Sequence, residues 1–323
     1  MGRGRRCGNS FPSRRDHAHL RRVPTHQDRF RDPELTLAFD RAVQSSDPYE
    51  RGPLYDRLRR ASGLPGARVN SGLVKAFASE AAARGAIADR LIAAMVAFDE
   101  DIAPHGHVDE ILPILGVAAT GARAATDAGA REKLLEALQE AACDRRHRVR
   151  ETAADGLAQV GIAVGKSFVD ELIKWIDDDQ PWVTRAALSS LRDAQWVLAL
   201  GAEGCARIVK SACDRIAREH RAGRRHEAYR RLLAIVPEVF PTIVVRHPTV
   251  LAAALEVITD RSVRYPTGED EQVREALEEV AAKLEKKGHP DRVLALRDAL
   301  KATEKAPRDP RAARPGTRGR GRK

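Results

Sequence analysis

Several stretches of this chain gather residue types that can do chemistry. DEDIAPHGHVDE at 99–110 sets acids at 99, 100, 101, 109 and 110 around His105 and His107, a donor set able to hold a divalent ion or to activate water. Pro104 and Gly106 interrupt it, and both mark an exposed turn in which polar residues are expected without any chemistry. GIAVGKS at 161–167 imitates a phosphate-binding loop, but only three residues separate its glycines, where that loop needs four. Its two glycines read better as a turn between helical units. Cys143 and His147 have metal-like spacing, with Cys205 and Cys213 available to complete four ligands. However, Cys205, Ile208, Val209, Ala212, Cys213 and Ile216 recur on one helical face, which makes both thiols core residues. The expectation is no catalytic residue, no metal and no cofactor.

Binding chemistry is better represented. Arg145, Arg146, Arg148 and Arg150 crowd one short segment, and Arg207, Lys210, Arg218, Arg221, Arg224 and Arg225 follow later. Residues 205–231 hold nine Lys or Arg against Asp214, Glu219 and Glu227. If the fold brings the two groups to one face, they form a surface for nucleic-acid phosphate or for an acidic partner. Trp175, Trp182 and Trp196 crowd a chain that is 4% aromatic. Trp175 reads as filling between helices; Trp182, directly after Pro181, reads either as packing of the same kind or as an anchor for a partner.

The elements that position these residues come from an internal repeat. EKLLEALQEAACDRRHRVRETAADGLAQVG, from Glu132, returns 34 residues later as KSFVDELIKWIDDDQPWVTRAALSSLRDAQ. Leu134, Leu135 and Leu138 fall on Phe168, Val169 and Leu172; Asp144 falls on Asp178; Val149, Ala153 and Leu157 fall on Val183, Ala187 and Leu191. Apolar residues at i, i+4 and i+8 make one stripe of a helix. A helix pair this short cannot bury its stripe alone, so adjacent pairs must stack. The two aspartates stand in the link between the helices of each unit, where a carboxylate accepts amides from the next helix start. The stretch DRRHRVRETAADGLAQVG, with its Asp, its Val-Arg pair, its Ala pair and its Leu, resembles the HEAT repeat, particularly the bacterial variety. The resemblance is clearest over 132–161 and 166–195. It implies an all-α fold, a right-handed α-solenoid of stacked antiparallel helix pairs, over residues 32–303.

Outside the repeat the signals are coarser. Helices are expected at 34–46, 53–62, 69–84 and 86–99 and from Val108 to Gly121, with a turn at 62–66. Pro237, Pro241 and Pro248 should make the helices of 197–260 short. Thr267 and Asp270 suggest a capping box, and Gly288 a helix stop. HPDRVLALRDALK would then close the stack with a polar face.

Charge is unevenly placed. Residues 1–31 hold nine Arg against two Asp, and residues 301–323 hold nine Lys or Arg against two acids, so each end carries +7 and the 269 residues between carry −4 of the total +10. Both ends are poor in large apolar residues, so 1–31 and 304–323 are expected to be disordered basic extensions able to touch phosphate non-specifically. The most apolar stretch, 232–245, is too short and too broken to span a bilayer. No secretory signal is read, and the cysteines are expected as reduced thiols in a cytoplasm. The leading functional expectation is a non-enzymatic scaffold holding an unidentified protein on the concave face of the solenoid. The second is a nucleic-acid binder using the basic ends and the 207–231 arginines. The third is a repair enzyme like the HEAT-like DNA glycosylases.

Overall fold

In the computed structural model of the chain, residues 30, 32–218, 225–252, 256 and 271–302 are described. Every regular element among them is helical: α1 (Pro33–Gln44), α2 (Gly52–Ala61), α3 (Ser71–Arg84), α4 (Asp89–Val96), α5 (Ile111–Thr126), α6 (Arg131–Ala142), α7 (His147–Val164), α8 (Val169–Asp177), α9 (Pro181–Ser190), α10 (Ala194–Arg218), α11 (Glu227–Arg246), α12 (Glu271–Lys286) and α13 (Pro290–Ala302), with short 3-10 turns at some junctions. No described helix is long and apolar enough to cross a membrane. The basic ends 1–31 (Phe30 apart) and 304–323, the Thr267–Asp270 capping box, Arg221 and Arg224 lie outside the described residues.

The repeat appears as two helix pairs, α6–α7 and α8–α9. Asp144 and Asp178 occupy the links at the same register, and each accepts a backbone amide two residues on, from Arg146 and from Gln180, both at 2.7 Å. Those two amides belong to the residues that cap α7 and α9. The stripe Val149, Ala153 and Leu157 and its counterpart Val183, Ala187 and Leu191 are buried. Trp175 stands where the first unit has Ala141, and both are buried.

Alternate helices pack in chain order, α3 on α5, α5 on α7, α7 on α9 and α9 on α11, and α11 packs on α12. α4 lies on α5, α6 on α5 and α7, and α8 on α9 and α10. The central member is α5, buried continuously from Ile111 to Ala124, as its all-round apolar sequence requires. Ile111, Leu112, Leu115 and Ala119 join the cluster of α1–α4, while Ile114, Val117 and Ala124 join the cluster that runs on to α13. Helices α5 and α7 meet at two glycines, where a Cβ on Gly121 would lie 2.4 Å from the Gly156 Cα.

The structure differs from expectation at three places. Prolines 237 and 241 lie inside α11, which runs unbroken for 20 residues. Each proline removes one amide donor, but Val236, Val239, Phe240 and Ile243 are buried around them, and that packing holds the helix through both. The break falls instead inside α10, at Gly201, whose φ is 71°. Of the two glycines in GIAVGKS only Gly165, at φ 74°, makes the turn. Gly161 is inside α7, where an added Cβ would lie 2.4 Å from the buried Trp196 ring. The fourth helix covers only Asp89–Val96, because a 3-10 turn from Gly85 precedes it. At the other end Gly288, φ 78°, stops α12 as read, with His289 N donating to Leu284 O at 3.1 Å.

Candidate functional site

The acid and histidine loop at 99–110 and the first arginine group meet each other. Glu110 is fully buried and accepts from the Gly106 amide at 2.8 Å and Arg148 Nη1 at 2.8 Å, with His105 Nδ1 at 3.0 Å. Burial alone would push its carboxyl up, but these three partners outweigh it and hold it below its ordinary value. Arg146 is also buried: Asp144 takes its Nε and Nη2 at 2.9 and 2.6 Å, and its Nη1 donates to the Asp99 and Ala103 carbonyls at 3.1 and 3.0 Å. Arg150 donates to the Asp144 and Arg145 carbonyls. Among the four, Arg145 points furthest into solvent, with Glu100 at 3.8 Å. Two sequences that each suggested chemistry thus fasten the 99–110 loop to the start of α7. Among the described residues no group of three or more His, Cys, Asp or Glu is arranged to hold a metal ion.

Of the four described residues of the second basic group, two are paired. Arg207 meets Asp170 at 2.6 Å and Arg218 meets Asp177 at 2.7 Å. Lys210 and Arg225 are exposed. Trp182 is half-buried on the first turn of α9, with the Arg150 guanidinium 4.0 Å from its ring centroid and that of Arg185 at 5.9 Å. Cation–π stacking therefore uses its ring within the chain. Cys205 and Cys213 are buried, and burial pushes the Cys205 thiol up to about 12.

A concave feature among the described residues lies elsewhere. A groove of about 600 Å³ runs across α3, α5, α7 and the end of α9, within the range typical of ligand-binding clefts. Alternate helices line it: Ser71 and Lys75 of α3, Ile114 and Ala118 of α5, His147, Glu151, Asp155 and Gln159 of α7, then Ser189 and Asp193 at the end of α9. On α7 the four polar residues recur every fourth position, on the side opposite the Val149, Ala153 and Leu157 stripe. Val74, Ala78, Ala158 and the half-exposed Ile162 add apolar surface.

Most groove charges are already satisfied. Glu151 pairs with Arg185 and, at 2.5 Å, with Arg192, which also meets Glu238 at 2.8 Å. Asp193 caps α10 by accepting the Gln195 and Trp196 amides at 2.7 and 3.2 Å. Burial would raise the Glu151 carboxyl, but its two arginines outweigh that and leave it lowered. Asp155 and Lys75 are the exceptions: both are exposed to the groove and make no ion pair among the described residues, and the Asp155 carboxyl is raised by surrounding protein and then by Glu151. An acid whose folded value exceeds its unfolded value of about 3.9 costs stability once ionised, and the cost vanishes when both states are protonated. Asp155→Asn is therefore expected to raise the Tm at pH 7, with the gain disappearing below about pH 3.9. Thermal melts of the two proteins across pH check this, and a lower Tm for the variant at pH 7 would reject it.

The sequence reading missed this groove. It followed the apolar stripe of α7 and left the polar stripe two residues away unread, although the spacing of His147, Glu151, Asp155 and Gln159 was visible. Ser71, Lys75 and Ser189 carried no local signal. Compared with known families, the chain matches no family model, and none of the curated proteins compared matches it.

Proposed function

We propose that the chain is a non-enzymatic scaffold that holds a segment of another protein in the groove across α3, α5, α7 and α9. The observation that carries this reading is the groove itself: apolar surface from Ile114 and Ala118 flanked by polar residues of α3, α7 and the end of α9. Such a surface is what stacked helix pairs offer to an extended partner. The reading includes the HEAT-like resemblance, a right-handed solenoid over 32–303 whose inner layer is α3, α5, α7, α9, α11 and α12. Polar rim groups set orientation and encounter rate, and the apolar floor supplies affinity.

Nucleic-acid binding stands second. Arg146 and Arg148 are engaged internally, and Arg207 and Arg218 face carboxylates, so phosphate contact would fall to Arg145, Lys210 and Arg225 and to the basic ends. A glycosylase-like role asks for a tryptophan face free to stack on a base. Trp175 is 3% exposed and Trp182 carries Arg150.

The test compares the full chain with Gln159→Trp, which fills the groove, and Lys210→Glu, which alters the basic face. Partners recovered from the native cell and quantified by mass spectrometry should fall about tenfold with Gln159→Trp and hold with Lys210→Glu. Loss with Lys210→Glu alone, together with salt-sensitive DNA or RNA binding by the full chain, would replace the scaffold reading with the second one.

A further inference from the structure

Opposite charges stand on opposite walls of the groove. Lys75 belongs to the α3 wall and Asp155 to the α7 wall, with Ile114 and Ala118 of α5 between the two helices. Both are exposed, and neither makes a hydrogen bond or an ion pair among the described residues. The other charged groups of the lining are engaged: Arg148 by Glu110, Glu151 by Arg185 and Arg192, Arg192 also by Glu238, and Asp193 by the amides it caps. Ser71, Gln159 and His147 also line the groove without a hydrogen bond among the described residues. Ser71 and Gln159 carry no charge, and burial lowers His147, which is therefore neutral at pH 7. These three accept a partner group of either sign. The Asp155 carboxyl, raised by the protein around it and by Glu151, is drawn back down by Arg192 and Lys75, so the charge of the far wall lies within its electrostatic reach.

The width between the walls limits what can lie there. Helices α3 and α7 both pack on α5, and packed helix axes lie about 8–10 Å apart, so the axes of the two walls are at most about 20 Å apart. Side chains take about 5–6 Å from each side, which leaves a gap of about 8–10 Å. A helix, about 10–12 Å across, does not enter such a gap. A single extended chain does, and its successive side chains point to opposite sides. We propose that the groove holds an extended segment of the bound protein in which an acidic and a basic residue are adjacent, the acid reaching Lys75 on one wall and the base reaching Asp155 on the other. This rests on the protein-binding reading above and specifies the partner's chemistry. The lining as a whole, with Lys75, Arg148 and Arg192 against Glu151, Asp155 and Asp193, favours neither sign alone. A single charge on the partner leaves one wall unmatched, whereas the adjacent pair matches both. The aliphatic stems of the two side chains cover the apolar surface beneath them.

The test uses the full chain and fluorescein-labelled hexapeptide pools, acetylated and amidated, with flanks randomised among uncharged residues. The central pair is fixed as Glu with Lys in both orders, Glu with Gln, Lys with Gln, or two Gln. Anisotropy should show the Glu and Lys pool binding about tenfold more tightly than the pool with two Gln, the scale of two partly exposed charge pairs, with the singly charged pools between them. Lys75→Gln should erase the advantage that Glu gives and keep the one that Lys gives, and Asp155→Asn should do the reverse. Lys75→Glu and Asp155→Lys should each weaken the Glu and Lys pool, and the two together should restore it, with circular dichroism unchanged throughout. An advantage of Glu that survives Lys75→Gln, an advantage of Lys that survives Asp155→Asn, or a double variant no better than the single ones would overturn the paired recognition. Equal binding of the pool with two Gln would overturn it too and leave the scaffold reading standing. The free dipeptide of lysine and glutamate binding as tightly as its pool would overturn a protein segment as the occupant. No binding by any pool would overturn the extended segment, and the scaffold reading would then be judged by partner recovery with Gln159→Trp.

Discussion

Arg146→Ala is expected to destabilise the chain by about 3–5 kcal/mol, the range for removing one partner of a buried ion pair. The change strips Asp144 of both guanidinium bonds and leaves the Asp99 and Ala103 carbonyls without their donor. It also opens a cavity, because Arg146 is among the largest fully buried side chains. The 99–110 loop would lose its hold on α7, so protease cleavage within it should accelerate along with the drop in urea midpoint. Arg145→Ala, one residue away and 84% exposed, should stay within about 0.5 kcal/mol of the parent. Similar urea curves for the two variants would show that the buried arginine is not the fastening.

Gly121→Val is expected to cost at least about 3 kcal/mol, at the upper end for overpacking, because the obstruction is backbone. The first added carbon would already stand 2.4 Å from the Gly156 Cα and 3.1 Å from its carbonyl carbon, so α5 and α7 must part. Since both helices line the groove, its shape should change with them, and partner recovery should fall in any fraction that still folds. Gly52→Ala, where nothing lies within 4 Å of the added carbon, is the control and should melt like the parent. A Gly121→Val protein with the parent's Tm would contradict the close helix crossing.

The repeat was legible because its information is local: Val149, Ala153 and Leu157 and their copies sit at helical spacing within one short segment, and the Asp at each link needs only the amide two residues on. The fate of the arginines was not legible, because their partners are remote in sequence. Arg146 finds the Ala103 carbonyl 43 residues back, and Arg148 finds Glu110 38 residues back. From the sequence alone, a buried, paired guanidinium and a free one are the same letter. The acidic loop misled for the same reason, since Glu110 points inward while Asp101 and His107 face out. Prolines 237 and 241 misled differently: the local rule is sound, and tertiary packing outweighed it. The groove needed both kinds of information at once, a polar stripe on α7 and the knowledge that α3, α5 and α9 would arrive beside it.

The most direct test of the groove as the working face is site-specific photo-crosslinking in the native cell. A benzophenone side chain placed at Gln159 is compared with one at Lys210, both exposed in the free chain. The account predicts a discrete crosslinked protein from position 159 and none from position 210. Crosslinks from position 210 alone, to protein or to nucleic acid, would contradict it.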